Sequence, residues 1–287
     1  MAKPRFSFIV STFNRTELLR KNLTRLCMLT IPDEIVIVDD GSDDPEALKS
    51  MLRGFAELKG RIKYIRYENP HWDSCSVPKN IGLKHSTGDI LIYSEPELVF
   101  IDDPIIKAQE IFETVKDKYI RQEWVYFGKR DVVVPDEELS DPMAYLEKFG
   151  YNEWMPGTDD VHGGAVTYTK ARMVSPWTII VSRKHLEAVN GWDEKMSFHK
   201  GGGGWGFDDI DLISRLRESG VGEHEAIGLS VIHMWHDRPP QHIQDSWMPN
   251  EKIMKAKHDE NGAYRPETIK ANQDEDWGVL VGYVEEI

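Results

Sequence analysis

The chain is poor in cysteine, with only Cys27 and Cys75 among its 287 residues. One lies within a helical pattern and the other beside a loop, so we expect two free thiols rather than a disulfide framework. Long apolar runs are also missing, because none approaches the roughly 20 residues that a membrane-spanning helix needs. The apolar run of residues 6–10 is too short for a secretory signal. These absences predict a cytoplasmic protein without a transmembrane segment.

Basic residues are also scarce, with 35 Lys and Arg against 49 Asp and Glu and a net charge of -14. Proteins bind nucleic acids and anionic membranes by neutralising phosphates with Lys and Arg, so a broad surface of that kind is not expected. A local basic groove stays open, which leaves nucleic acid disfavoured but not excluded. The acidity instead favours a pocket that holds a divalent cation, which can carry an anionic substrate.

The first hundred residues alternate between strand and helix patterns, over residues 6–10, 16–27, 34–38, 45–55, 62–67, 76–85 and 89–93. The second strand is nearly all apolar and β-branched, as expected for a strand buried on both faces. Such strands favour a parallel sheet with helices on either side. The predicted fold class is therefore α/β, with a doubly wound, Rossmann-like mixed sheet.

Beyond residue 100 the pattern is less regular. It predicts a helix over 102–118, a hairpin of 124–127 with 130–134, a strand over 176–181, a helix over 185–189 and a strand over 229–234. Residues 135–172 are polar and rich in Tyr, Trp and Gly, and we expect an irregular lobe. The last forty-odd residues are polar and acidic, with Trp247 and Trp277 as candidate anchors.

Four glycines at residues 201–204 lead into Trp205 and a cluster of acids. The apolar residues that follow have helical spacing, so Asp208 and Asp209 should lie at the start of a helix, turned toward its buried side, with Asp211 pointing toward Arg215. Acids in a first helical turn are stabilised by the helix dipole, so they should be ionised at neutral pH and able to act as a general base. The alternative is that the acids merely favour helix formation and the glycines form a solvated loop.

Polar residues follow several of the predicted strands, at 11–14, 39–42 and 94–97. In open α/β sheets, ligands bind at the carboxyl ends of the strands. Pro96 separates Glu95 from Glu97 and ends strand pairing, so we expect both acids to face this crevice. Two solvent-facing acids after a strand are the alternative.

Together these segments resemble the nucleotide-sugar glycosyltransferases of the GT-A fold, particularly glycosyltransferase family 2 with a galactosyltransferase-like C-terminal part. Residues 8–15 are similar to the family's first strand and donor loop, and residues 35–42 to its second strand. Residues 79–82 and 87–89 look like its basic-Asn-x-Gly helix and the turn that follows.

The resemblance covers most of positions 5 to 240 and implies a division of the chain. Residues 1–240 would form the glycosyltransferase domain, with residues 241–287 as a C-terminal extension. Within the domain, 1–100 would bind the nucleotide sugar, and 101–240 would supply the acceptor and catalytic half.

By the same resemblance, a nucleoside diphosphate sugar, in particular a UDP-sugar, is the donor. Asp40 would hydrogen-bond the nucleobase, since a carboxylate accepts from ring amide hydrogens. Lys79 would lie near the diphosphate. Thr12, Asn14 and Glu95 are the other residues of this half that we expect at the donor.

The family holds Mn²⁺ or Mg²⁺ with an Asp-x-Asp motif, where this chain has Glu95-Pro96-Glu97. Glutamate remains a hard oxygen ligand, so the resemblance implies metal binding with Glu97 as the direct ligand. A late histidine completes the site in related enzymes, and His236 fits that place. His233 can join it only if the backbone turns, because residues three apart on a continuous strand face opposite sides.

The glycine-tryptophan-acid segment resembles the part of the family that covers the donor sugar. This implies that Asp209 is the general base, that Asp208 helps to hold the acceptor and that Trp205 covers a sugar ring. The expected reaction is metal-dependent transfer of the sugar to an acceptor hydroxyl, with inversion at the anomeric carbon. The acceptor remains open among a glycan, a lipid-linked sugar, a protein and a modified base in DNA.

Two other functions compete with this interpretation. A nucleotidyltransferase or sugar-nucleotide pyrophosphorylase also combines a doubly wound sheet with carboxylate-bound metal, but residues 11–14 lack the glycine-rich basic loop that such enzymes carry. A non-catalytic binder of nucleotide sugars is the second, motivated by the altered metal motif. Transfer with retention of configuration at the anomeric carbon, instead of inversion, is also open.

Overall fold

A computed structural model describes residues 3–69, 76–112, 118–122, 124–128, 132–152, 166–167, 177–197, 202–203, 206–224, 228–237, 247–273 and 276–287. Its strands are β1 (Phe6–Thr12), β2 (Glu34–Asp39), β3 (Ile62–Tyr67), β4 (Ile90–Ser94), β5 (Leu98–Phe100), β6 (Lys118–Arg121), β7 (Trp124–Gly128), β8 (Tyr151–Asn152), β9 (Val166–Thr167), β10 (Thr178–Ser182), β11 (Gly222–Glu223), β12 (Ser230–His233) and β13 (Gly282–Glu286). Its α-helices are α1 (Thr16–Cys27), α2 (Pro45–Arg53), α3 (Ser76–His85), α4 (Pro104–Phe112), α5 (Pro142–Phe149), α6 (Arg183–Ala188), α7 (Asp208–Glu218) and α8 (Trp247–Lys255).

The strands form a large and a small sheet. The large sheet has the order β11-β6-β10-β4-β1-β2-β3-β13, and its central strands β4, β1, β2 and β3 are parallel. Strand β10 is antiparallel to both of its neighbours, and so the sheet is mixed. The small sheet has the order β5-β12-β7-β8, with β9 also paired to β7. This confirms the predicted mixed α/β fold with its doubly wound parallel start.

Alternating side chains of the central strands fill two apolar clusters. On β1, Phe8 and Val10 belong to one cluster and Ile9 to the other, because successive side chains on a strand point to opposite faces. The same alternation holds along β2, which is buried over its full length. A strand covered on both sides accounts for the continuous apolar run in the sequence.

Parallel pairing brings the carboxyl ends of the central strands to one edge of the sheet. Thr12 at the end of β1 pairs with Asp39 at the end of β2, and Val10 pairs with Ser94 at the end of β4. Successive strands diverge from β1 to either side, as at a topological switch point. The loops after β1, β2 and β4 therefore meet at a crevice.

Two predictions in the second half were wrong. The helix expected over 102–118 is α4, which begins at Pro104 because the Asp103 carboxylate accepts from the amides of Ile105 and Ile106. Lys118, at the predicted end of the helix, belongs to β6. The hairpin of 124–127 with 130–134 is not found among the described residues, which leave out 129–131. Strand β7 pairs with β12, β8 and β9 instead, and residues 132–134 form no strand. These partners are distant in sequence, so local patterns do not identify them.

The C-terminal residues are joined to the large sheet. Strand β13 pairs antiparallel with β3 and forms one edge of that sheet. Trp277, expected as an anchor, packs against one of the two central clusters and lies under the Lys84 ammonium, 3.6 Å from the ring centroid. The boundary at residue 240 remains a prediction.

None of the helices in the described parts of the chain combines the length and the apolar character that crossing a membrane requires.

Candidate active site

Glu97, His233 and His236 meet between the large and the small sheet. Glu97 lies in the connection from β4 to β5, and its carbonyl accepts from the Met234 amide at 2.9 Å. Because β5 and β12 pair with Leu98 opposite His233, the histidine lies beside Glu97. The Oε1 atom of Glu97 is 3.3 Å from Nε2 of His236 and 3.6 Å from Nε2 of His233. One atom of each side chain can thus face a common point, with all three within 4.8 Å of one another.

The backbone turn required for both histidines is present. Strand β12 ends at His233, and residues 234–237 continue outside strand structure. The His236 ring therefore returns to the same carboxylate, with its centroid 5.3 Å from that of His233.

Arg15 completes this cluster and was not predicted as a site residue. Its Nη1 lies 2.6 Å from Oε2 of Glu97, so the carboxylate has one oxygen toward the guanidinium and the other toward the imidazoles. The Nδ1 atom of His236 lies 2.7 Å from the Asp237 carbonyl. The same Nδ1 atom lies 3.2 Å from Nη2 of Arg15, so Nε2 is the ring nitrogen that faces Glu97.

The charges in this cluster suit a cation. Burial raises the pKa of Glu97, but the Arg15 guanidinium and the two imidazoles together bring it well below its usual value, so the group is ionised. Burial lowers the pKa of His233 to about 4, which leaves its ring neutral at neutral pH. An ionised carboxylate and a neutral imidazole are the forms that bind a metal ion. The residues present therefore fit a divalent cation.

Lys79 joins two acids from distant segments. Its Nζ lies 3.2 Å from Oε1 of Glu95 and 3.0 Å from Oδ1 of Asp209, and the side chain is almost fully buried. Helix α3 approaches β1 closely enough for this because residue 82 is glycine, where a Cβ would lie 2.5 Å from Cγ2 of Ile9. The sequence suggested a place beside a diphosphate for Lys79, and the structure places its ammonium between two carboxylates.

Glu95 shares the electrostatic environment of the other acids. Burial raises its pKa most, Glu97 and Asp209 raise it further by repulsion, and Lys79 lowers it. Glu95 is not part of the cluster around the two histidines. The two glutamates of the Glu-Pro-Glu segment thus have different partners.

Trp192 holds the Asp209 carboxylate and was missed by sequence reasoning. Its indole Nε1 donates to Oδ1 of Asp209 at 2.8 Å, and its buried ring lies against Tyr93 with a centroid distance of 4.5 Å. The Asn80 side chain donates to the Trp192 carbonyl and accepts from its amide, both at 2.9 Å. Asn190 and Gly191 indicate a turn before this residue, but no sequence pattern indicates its partner in α7.

Asp208 and Asp209 begin α7 and are both buried, as the helical spacing predicts. Burial, followed by repulsion from Asp209, raises the pKa of Asp208 to about 7. The expectation of full ionisation at neutral pH was therefore wrong for Asp208, because desolvation outweighs the helix dipole. Asp211 contacts Arg215 as expected, with 2.7 Å between Oδ2 and Nε.

The Asp208→Asn substitution should stabilise the protein more at pH 8 than at pH 5. Because the folded-state pKa of Asp208 lies above the unfolded value, its contribution to stability is complete only at low pH and is lost as the pH rises through about 7. Asparagine carries no charge to bury. We expect the difference in melting temperature between the variant and the wild type to grow from pH 5 to pH 8. An equal difference at both pH values would contradict this assignment, and the exposed Asp276→Asn variant is the control for removal of one carboxylate.

Asp40 and Asn14 lie in the loops after β2 and β1. The Asp40 carboxyl accepts from Nδ2 of Asn69 at 3.0 Å, and although this contact lowers its pKa, burial raises the pKa well above the usual value. Asn14 has a left-handed backbone, with φ 53°, and its side chain exchanges hydrogen bonds with Asp43 at 2.9 Å. Asn14 thus connects the two loops, and Asn69 is a neighbour that sequence reasoning did not single out.

Thr12 has a buried hydroxyl for which no hydrogen-bond partner exists among the described residues. Its carbonyl accepts from the Asp40 amide at 2.8 Å, which places the hydroxyl-bearing residue next to the β2 loop. Trp205, which the sequence analysis assigned to the donor sugar, lies outside the described residues.

Comparison with known proteins identifies related sequences. The sequence model of glycosyl transferase family 2 matches residues 7–170. A curated relative, validoxylamine A glucosyltransferase of Streptomyces hygroscopicus subsp. limoneus, is 27% identical over 253 residues, which cover 80% of this chain and 52% of the relative. The chain thus spans about half the length of the curated relatives it matches.

Two solved structures have the same fold as this chain. The mannosyltransferase PcManGT from Pyrobaculum calidifontis, in complex with GDP-Man and Mn²⁺, superposes with a TM-score of 0.57 at 16% identity and covers 94% of this chain and 69% of its own. TarS residues 1–349 from S. aureus, in complex with UDP, give a TM-score of 0.54 at 15% identity, covering 86% of this chain and 64% of that one. At these identities the likeness concerns the GT-A fold alone.

Proposed function

The chain belongs to glycosyl transferase family 2, and from this membership we propose that it transfers a sugar from a nucleoside diphosphate to an acceptor hydroxyl. The observation that carries the proposal is the meeting of two charged groups at one crevice. Glu97 faces two imidazole nitrogens, and Lys79 connects the adjacent Glu95 to Asp209. The first group suits a cation beside a diphosphate, and the second holds a carboxylate suited to proton transfer.

The donor is proposed to bind across the ends of β1, β2 and β4. Asp40, together with Asn69, would hydrogen-bond the nucleobase, and the hydroxyl of Thr12 would gain the partner that it lacks among the described residues. A UDP-sugar is the donor we propose from the family resemblance. A GDP-sugar is the alternative, since the Pyrobaculum relative is in complex with GDP-Man.

Glu97, His233 and His236 would hold the divalent ion. A set of one oxygen and two nitrogen donors suits Mn²⁺ better than Mg²⁺, which prefers oxygen ligands. When bound, the ion supplies positive charge that stabilises the departing diphosphate. Arg15 fixes the orientation of the Glu97 carboxylate. Its guanidinium would add a second positive charge to that of the ion.

Asp209 is proposed as the base that takes the proton from the attacking hydroxyl. Trp192 and Lys79 both bond its Oδ1 atom, which fixes the carboxylate in one orientation. Direct attack from the face opposite the leaving group would invert the anomeric carbon. Asp208 would help to hold the acceptor, and its raised pKa lets it donate a hydrogen bond as the protonated acid.

A donor screen tests this function. Purified protein is incubated with UDP-glucose, UDP-galactose, UDP-N-acetylglucosamine or GDP-mannose, with Mn²⁺, Mg²⁺ or EDTA, and release of the nucleoside diphosphate is measured. We expect ion-dependent release from a UDP-sugar, faster with Mn²⁺. Release of GDP from GDP-mannose, with no release from the UDP-sugars, would mean that the donor is a GDP-sugar. Ion-independent binding without release would support a non-catalytic binder, and release of inorganic pyrophosphate from a nucleoside triphosphate and a sugar phosphate would support a nucleotidyltransferase.

A further inference from the structure

Two asparagines of the C-terminal segment reach the loops that surround Asp209. We infer that Asn250 and Asn272 are positioning residues for this carboxylate, so that residues 247–273 form part of the catalytic apparatus. The inference rests on the glycosyl transfer proposed above and deepens it. Each residue would act on Asp209 through the loop that its side chain bonds.

Asn250 bonds the backbone of the glycine-rich segment at two described residues, Gly203 and Gly206. Its Oδ1 accepts from the Gly203 amide at 2.8 Å, and its Nδ2 donates to the Gly206 carbonyl at 2.8 Å. The residue is fully buried on α8. One side-chain amide thus bonds the backbone at both Gly203 and Gly206.

The held loop leads directly into α7. Gly206 and Phe207 both have left-handed backbones, with φ 73° and 64°, a conformation that is unfavourable for phenylalanine and needs support from its surroundings. The Phe207 carbonyl accepts from the Asp211 amide at 2.8 Å, and the helix begins at Asp208. A shift at Gly206 would therefore change the direction in which the first residues of the helix project.

Asn272 holds the other loop, which carries Trp192. Its Nδ2 donates to the carbonyls of Asn190 and Trp192 at 2.9 and 2.7 Å, and its Oδ1 accepts from the Glu194 amide at 3.0 Å. Since the Trp192 indole donates to Asp209, displacement of this loop would remove a bond from the base. The two asparagines thus act on Asp209 from two directions.

A buried ion-pair network attaches the same segment to both elements. The Lys257 ammonium lies 2.6 Å from Asp211 on α7 and 2.6 Å from Asp193 beside the Trp192 loop. The Tyr264 hydroxyl donates to Asp211 at 3.0 Å. These contacts keep the backbone of the segment fixed when one asparagine side chain is altered, so single substitutions can test positioning without detaching the segment.

The test uses Asn250→Asp and Asn272→Asp in the full chain. Each isosteric change keeps the acceptor oxygen and removes the bonds donated to backbone carbonyls. Asn250→Ala and Asn272→Ala are the second variants, and Lys252→Ala, an exposed change on α8, is the control. Three quantities are measured: kcat for transfer, the Kd for UDP by calorimetry, and amide hydrogen exchange.

We expect kcat to fall roughly 10- to 100-fold in the asparagine variants, the cost of misplacing a reacting group by about 1 Å. The Kd for UDP should stay within about twofold of the control, because the proposed nucleotide residues lie at the ends of β1 and β2. Hydrogen exchange should increase over 202–212 in the Asn250 variants and over 189–195 in the Asn272 variants.

Unchanged exchange in these segments overturns the inference, whatever the activity. Unchanged kcat in variants of an active wild type overturns it as well, as does a parallel loss of UDP binding and kcat, which indicates general destabilisation. Failure of the proposed function is distinguishable, since it is seen in the wild type as an absence of transfer.

Discussion

Replacing Asp209 by asparagine should lower the rate of sugar transfer by roughly 100-fold or more, with donor binding retained. Asparagine has the same shape and keeps an Oδ1 atom that can accept from Lys79 at 3.0 Å and from Trp192 at 2.8 Å. Its amide cannot take a proton from the acceptor. The loss should therefore appear in kcat, measured by product formation at saturating donor, while the Kd for UDP is unchanged.

The exposed Asp276→Asn variant is the matched control for loss of one negative charge outside the crevice. It should transfer sugar at the wild-type rate. If Asp209→Asn retains near-normal kcat, Asp209 is not the base. If it instead loses UDP binding in proportion to activity, its role is in holding the site together.

Replacing Glu97 by glutamine should weaken Mn²⁺ binding by about 100-fold or more, because even the residues that merely orient metal ligands contribute 10- to 100-fold. Glu97 is ionised and has one oxygen toward both imidazoles. Glutamine removes the negative charge at nearly the same size. Free Mn²⁺ in a titration of the protein, followed by electron paramagnetic resonance, reports the affinity without any need for turnover.

Glu95→Gln is the matched control, since Glu95 lies two residues away and pairs with Lys79. It should leave the Mn²⁺ affinity within a few-fold of wild type. Equal weakening by both variants would mean that the ion lies between the two glutamates, as in an Asp-x-Asp site, and that the histidines are not its main partners. The His236→Gln variant checks this independently and should weaken Mn²⁺ binding as Glu97→Gln does.

The sequence predicted those parts of the fold that depend on local periodicity. Local patterns indicated how several segments are buried. These segments are the apolar run that forms β2, the amphipathic pattern of α1 and the residues after β1 and β4. The meeting of Glu97 with His233 and His236 followed from family resemblance and needed the structure to show the turn after β12.

The remaining features depend on contacts between distant residues. The Trp192 indole donates to Asp209 from a loop whose backbone is bonded by Asn80 and Asn272, and no pattern near residue 192 indicates these contacts. The raised pKa of Asp208 results mainly from its burial. Helical spacing indicated that the side chain faces the interior, but it did not indicate how completely the side chain is buried. Similarly, the pairing of β7 with β12 replaced an expected local hairpin.

A crystal structure of the protein with UDP and Mn²⁺ would test the account most directly. We expect one manganese ion bound by Glu97, His233 and His236 and in contact with the diphosphate, with Asp209 facing the same space from the opposite side. An ion bound elsewhere, or a nucleotide whose diphosphate lies away from these residues, would contradict it.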